Sequence, residues 1–206
     1  MAWDVEGTKR KILDAATQEF AEKGPDGTTI ERIALLAKVN KERVYNYFGG
    51  KSELFAQVLR EQLAVAAQTV SLVSAEPSAV SEYAGRLFDY HRQNPALVRL
   101  LLWEALAYPE EVPEEHLRRD SYGVKTAVFE AGQNDGTLTG SIPPDVMNFL
   151  LLAVAGYWAA LPQVARMITD TNANDVDETA RRRTGVVEAA RRLTATDSPN
   201  LIQETS

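Results

Sequence analysis

The chain of 206 residues has no cysteine and only two histidines. The first absence excludes a disulfide framework and any thiolate metal site. The second leaves little material for catalysis. There is no H-E-x-x-H pair, no nucleophile elbow and no glycine-rich phosphate cradle. Glu114, Glu115 and His116 come nearest to a metal cluster, but adjacent glutamates on a helix face different ways. No enzymatic activity, cofactor or metal is therefore expected. Period-two alternation, internal repeats and low-complexity blocks are missing too, so the chain reads as all-α. The opening MAWDVEGTKRK has no apolar h-region, and the expected location is the cytoplasm.

A surplus of positive charge is also lacking. The formal net charge is −7. It is unevenly spread: residues 1–60 carry ten Lys/Arg and nine Asp/Glu, and the remainder carry twelve and twenty. A near-neutral first part with clustered cations can still approach a polyanion, whereas a broadly basic tract would make a stronger electrostatic case.

What the chain does have is TIERIALLAKVNKERVYNYF, from Thr29 to Phe48. Thr28 and Glu31 have the spacing of a capping box, and Thr29 is an alternative N-cap. Ile30, Ile33, Ala34 and Ala37 recur at helical spacing. Leu36 to Val39 reads as a turn. Asn40 is a good N-cap for a second helix, whose Val44 and Phe48 face inward. Lys41, Glu42, Arg43, Tyr45, Asn46 and Tyr47 are left for the other faces. Two readings fit: a helical hairpin with a solvated polar face, or a helix-turn-helix whose second helix enters a DNA major groove. For the second, Lys41 and Arg43 can neutralise phosphates, Lys41 can also reach guanine, Asn46 can pair with an adenine edge, and the tyrosines can donate to phosphates.

The flanks decide between them. Ile12-Leu13, Ala15-Ala16, Phe20-Ala21, Gly24, Thr28-Thr29-Ile30, Ile33-Ala34, Ala37, Val39, Tyr45, Tyr47-Phe48, Lys51 and Leu54-Phe55, in that order and spacing, resemble the N-terminal domain of the TetR family of transcriptional repressors. One residue departs from the pattern: Lys38 stands where the family usually has glycine. The resemblance implies a three-helix DNA-binding head over residues 1–51 and a helical ligand-binding and dimerisation domain over 52–195. It implies DNA contacts from Thr28, Thr29, Lys38, Asn40, Lys41, Glu42, Arg43, Tyr45, Asn46, Tyr47 and Lys51, with Lys51 on a phosphate. It also implies a homodimeric repressor of a double-stranded palindromic operator, released by a small-molecule inducer.

Within the head, a first helix from about Thr8 to Lys23 would put Lys9, Arg10 and Lys11 in its first turn, against the helix dipole. Ser52 would cap a fourth helix reaching about Ser74. Further on, residues 146–165 hold no charge. Asn148, Gly156, Pro162 and Gln163 argue against a membrane span there, and a helix apolar all round must be buried on both sides. A partner chain would cover one side, giving a dimer interface of Ala155, Gly156, Ala159, Ala160, Val186, Val187, Ala190 and Leu193. Arg181, Arg182 and Arg183 read as a solvated face. Residues that interrupt apolar stripes suggest a ligand pocket: Phe88, His91, Trp103, Glu104, Tyr122, Phe129, Asn148 and Trp158. An ionised Glu104 there would suit a cationic aromatic ligand. The competing reading makes His91 and Glu104 structural residues, paired with Arg92, Arg99 or backbone. Residues 1–7 and 196–206 read as tails.

Overall fold

A computed structural model describes residues 4–110, 112, 115–171 and 175–196, with Leu117 described by its backbone alone. The tails at Met1–Trp3 and beyond Thr196, and Glu114 of the weighed metal cluster, lie outside the described residues. Those described form ten helices and no strand: α1 Val5–Lys23, α2 Ile30–Ala37, α3 Lys41–Phe48, α4 Lys51–Thr69, α5 Pro77–Gln93, α6 Pro95–Ala107, α7 Glu115–Asn134, α8 Pro144–Ala160, α9 Pro162–Thr169 and α10 Val176–Thr194.

They divide into two compact units. The first takes residues up to Val70 with Tyr90–Ser121 and Ala159–Leu161; the second takes Ser71–Asp89, Tyr122–Trp158 and Pro162 onward. The first unit is therefore larger than the head expected over 1–51. The physical reason is burial: α4 places Leu54, Phe55, Val58 and Leu59 fully inside, and α6 adds Leu97 and Leu100. Both pack on α1. Phe20 of α1 meets Phe55 of α4 edge to face at 5.2 Å, a favoured aromatic geometry.

Capping chemistry sets the short helices. Thr29, not Thr28, caps α2: its side chain accepts from the Arg32 amide. Asn40 caps α3 by accepting from the Glu42 amide. The turn is shorter than expected, because α2 continues through Ala37. Lys38 then takes the left-handed conformation, φ 57 and ψ 42, and its amide reaches back to Ala34 and Leu35. α1 begins earlier than expected, at Val5, with Asp4 accepting from the Gly7 amide and Glu6 in the first turn. Lys9, Arg10 and Lys11 thus sit one turn further in, and acids occupy the dipole's positive end. α4 has no side-chain cap and stops at Thr69, short of Ser74.

In the second unit, the uncharged stretch is not one helix. Pro162 cannot donate its amide to a continuing α8, and α9 leaves at 85°. No single helix among the described residues is long and apolar enough to cross a membrane. α5 and α10 approach at Gly85, where a Cβ would lie 2.8 Å from the Val187 side chain. Arg183 of α10 crosses to Glu82 at 2.5 Å and Asp89 at 2.7 Å. Arg182 is 7% exposed, bonded to Glu178 and to the hydroxyls of Thr169 and Thr171. Of the three arginines expected on a solvated face, only Arg181 is exposed, and it too bonds to Glu178; Arg182 is buried and Arg183 half-buried.

Because a β-carbon is strained at φ 57, Lys38→Gly should raise stability by about 0.5–1 kcal/mol, the relief being partly offset by glycine's greater freedom when unfolded. Urea unfolding checks this, with Lys38→Ala as the control that should give no gain.

Candidate functional site

The candidate DNA-reading surface is α3. Val44 is fully buried and anchors the helix on the core of the first unit. Lys41, Glu42, Tyr45 and Asn46 are exposed, and Arg43 and Tyr47 are half-buried. Before any DNA arrives, two cations already have partners. Lys41 lies 3.6 Å from Glu31, and Lys51 lies 3.8 Å from Asp26 and 3.5 Å from the Thr28 carbonyl. Both carboxylates are exposed, so a phosphate can compete for these ion pairs at little cost. Lys9 reaches over the ring of Tyr47 at 6.0 Å, in a groove shared by α1, α3 and α4.

Thr28 is placed differently from the other candidates. It is 2% exposed, and its hydroxyl donates to Glu19 Oε2 at 2.7 Å. Its role here is internal to the head. Glu19 is the residue that sequence reasoning missed. It is buried and also receives Lys23 at 2.6 Å and Arg32 at 3.3 Å. Lys23, then Thr28 and Arg32, hold its carboxyl at about 2, against an ordinary 4.5. The hub ties α1 to the start of α2. One signal was available: Glu19 is a charge one turn beyond Ala16 on an otherwise apolar stripe.

The ligand candidates fall into both units. In the first are His91, Trp103 and Glu104. Trp103 lies against the end of α1: a Cβ at Gly24 would be 2.7 Å from its indole, and its Nε1 donates to the Ala21 carbonyl at 3.4 Å. Arg99 donates to the same carbonyl at 2.5 Å and to that of Glu22 at 3.1 Å. The Glu104 carboxylate, 7% exposed, accepts from Arg118 at 2.6 Å. Its partner is thus neither Arg92 nor Arg99, and its charge is already matched. His91 is half-buried near the end of α5.

Phe88, Tyr122, Phe129, Asn148 and Trp158 are in the second unit. Phe129 is fully buried, and Phe88 meets Trp158 edge to face at 6.5 Å. Asn148 Nδ2 donates to the Tyr122 carbonyl at 3.3 Å and to Thr126 Oγ1 at 3.1 Å. Among the described residues no group of three or more metal-ligating side chains comes together.

Of the interface candidates, Ala155, Val186 and Ala190 are at most 1% exposed within a single protomer, so no partner can touch them. Gly156, Ala159, Ala160, Val187 and Leu193 are half-buried. The large apolar side chains that remain outside on α8 are Val146, Phe149 and Tyr157, 43%, 71% and 58% exposed.

Comparison with known proteins identifies the family. The family model for bacterial regulatory proteins of the tetR family matches residues 12–58, and that for the tetracyclin repressor-like C-terminal domain matches residues 79–192. The chain belongs to the TetR family. It is a DNA-binding transcriptional regulator with a helix-turn-helix. The HTH-type transcriptional repressor SCO4008 of Streptomyces coelicolor is 38% identical over 189 residues, 88% of this chain and 97% of that protein. The repressor NicS of Pseudomonas putida is 32% identical over 149 residues, covering 68% and 70%. The crystal structure of the protein SCO4942 of Streptomyces coelicolor superimposes with a TM-score of 0.76 at 32% identity, covering 91% of this chain and 98% of that one. FadR of Bacillus subtilis, solved with stearoyl-CoA, shares the fold at TM-score 0.70 and 14% identity, covering 90% and 98%.

The depressed Glu19 carboxyl gives a pH dependence of definite sign. Its stabilisation is complete above about 4.5 and declines as pH falls toward about 2, because the unfolded chain then binds the proton more readily. Glu19→Gln should lower stability at neutral pH and flatten the acid decline in this window, followed by urea unfolding at a series of pH values. A decline of unchanged steepness would assign the acid sensitivity to other carboxylates.

Proposed function

We propose that this regulator is a homodimeric repressor, acting in the cytoplasm, that holds a palindromic operator and is released by a small-molecule inducer. The observation that carries the reading is α3: one buried anchor, Val44, beneath an exposed row of Lys41, Tyr45 and Asn46. A helix held this way can enter a major groove by its first turns, and a two-fold dimer sets two of them about 34–36 Å apart, one turn of B-DNA. Asn46 would read a base edge, with Tyr45 and Lys41 beside it. Thr29, Lys38, Asn40, Glu42, Arg43, Tyr47 and Lys51 would position the head on the backbone. Thr28 would serve through Glu19 instead of through DNA.

The dimer would use the outer stripe of α8, Val146, Phe149, Ala153 and Tyr157, whose apolar groups are otherwise left in water. α10 supplies a complementary surface of small groups at Ala180, Thr184 and Gly185, all exposed. This replaces the face containing Ala155, Val186 and Ala190, which the protomer itself covers. The repressors SCO4008 and NicS among the relatives support repression in place of activation. The rival reading within DNA binding is a ligand-independent architectural protein, which would retain DNA without a consensus.

Selection of genomic fragments on the purified protein, followed by sequencing, tests the reading. A palindromic consensus is expected. Retention without one favours the architectural protein, and no retention at low salt overturns both. On the recovered site, Asn46→Ala should cost about 1–3 kcal/mol of discrimination at one base pair per half-site. Lys51→Ala should weaken all sequences alike and shallow the salt dependence by about one phosphate contact per subunit.

Phe149→Asp should convert the dimer to monomers in light scattering. A dimer that survives this change and Tyr157→Asp would place the interface elsewhere.

A further inference from the structure

Two polar atoms in the second unit are buried with no hydrogen-bonding partner. They are the Tyr83 hydroxyl, on a residue with no exposure, and Asn148 Oδ1, on a residue 4% exposed. A buried polar group left unmatched costs about 1–3 kcal/mol, so two in one core call for an explanation.

Both face the same turn of α7. Asn148 of α8 bonds to Tyr122 and Thr126 of α7. Lys125, beside them on α7, carries its ammonium 5.9 Å from the ring of Tyr83 of α5. Tyr122 and Arg86 are close enough to Tyr83 to act on it electrostatically.

The amide orientation of Asn148 follows from chemistry. Tyr122 contributes a carbonyl, which can only accept, so the Asn148 nitrogen must face it and the oxygen must face away. What the oxygen needs is a donor. Tyr83 is the complement. Burial pushes its phenol well above the usual value, so it stays protonated and can donate. Lys125 adds positive charge. It is half-buried, and among the described residues no carboxylate lies within salt-bridge distance of it. Burial lowers its basicity, as expected for an ammonium without a counter-charge.

We infer that Tyr83, Lys125 and Asn148 form the polar end of the inducer site, and that it takes a small organic acid bearing a separate hydroxyl or N–H donor. The carboxylate accepts from Lys125 and Tyr83, and the donor is received by Asn148 Oδ1. Tyr83 and Lys125 are absent from the residues that stripe-breaking alone selected. The inference rests on the reading of the chain as a ligand-responsive regulator. It sets the ligand's charge opposite to that suggested by Glu104, whose carboxylate Arg118 already matches.

Isothermal titration of the full-length protein tests it with 3-hydroxybenzoate, lactate, benzoate and 3-hydroxybenzylamine. The two hydroxy acids should bind, benzoate more weakly and the amine not at all. Tyr83→Phe and Lys125→Met should each lose about tenfold or more in affinity for 3-hydroxybenzoate. Tyr83→Phe should fold at least as well as the parent, because it removes an unmatched hydroxyl. In Asn148→Leu the preference for 3-hydroxybenzoate over benzoate should vanish. The inference is overturned if neither hydroxy acid binds at about 10 mM, if the amine binds as well as the acids, or if both Tyr83→Phe and Lys125→Met leave affinity unchanged. Operator binding run in parallel separates the two levels. A protein that holds its palindrome and is released by a metabolite extract, yet binds neither acid, keeps the inducible-repressor reading and loses this site. A protein that holds no palindrome loses that reading, whatever the titrations show.

Discussion

The head depends on one buried carboxylate. Glu19 draws Lys23 from its own helix, Thr28 from the following loop and Arg32 from α2 onto two oxygens. A buried acid is tolerable only when its charge and lone pairs are met, and here they are. The consequence is geometric. The start of α2 is fixed against α1, the left-handed Lys38 fixes α3 against α2, and Val44 presses α3 onto the core. The exposed residues of α3 are therefore positioned through a chain of contacts that begins at Glu19 on α1. Thr28 is buried because its hydroxyl is spent on Glu19, which makes it part of this chain of contacts.

Local chemistry was legible in the sequence, and long-range chemistry was not. Asn40 could be assigned as a cap because a cap acts within one turn. Thr29 was one of two candidates, and the choice fell to it once Thr28 was taken by Glu19. Lys38 showed as an anomaly because only position and handedness are needed to see it. Glu19 stood out merely as a charge on an apolar stripe; its partners at Thr28 and Arg32 are nine and thirteen residues away, and nothing in helical spacing pairs them. The same limit applies to Glu104, whose partner Arg118 lies on another helix beyond two prolines.

α8 shows a different limit. Periodicity assigns a face only when a helix has a polar side to give the phase. α8 has almost none, so its small residues were the only guide, and they led inward. Ala155 is small because α8 packs closely within the protomer, and the large residues Phe149 and Tyr157 are the ones left outside. Pro162 was noted as an argument against a membrane span, yet its plainer effect is to end α8 and turn the chain by 85°.

The charge distribution bears on how such a protein can work. All of the net negative charge lies beyond residue 60, −8 against +1 before it, so a polyanion repels that part and meets a near-neutral head. Non-specific attraction is then weak, because few counterions are released when few phosphates are neutralised. In the proposed dimer, retention on DNA would rely on the specific fit of two heads at once. An equilibrium held that way is easily tipped: a coupling of about 1–3 kcal/mol between ligand and operator suffices to empty the site when non-specific affinity offers no alternative hold. The same acidic part carries Lys125, within salt-bridge distance of no acid among the described residues. In a domain with so many carboxylates, a half-buried ammonium with no acid in range is where the proposed negative ligand would gain most, and only a differential affinity for one conformation would couple it to operator release.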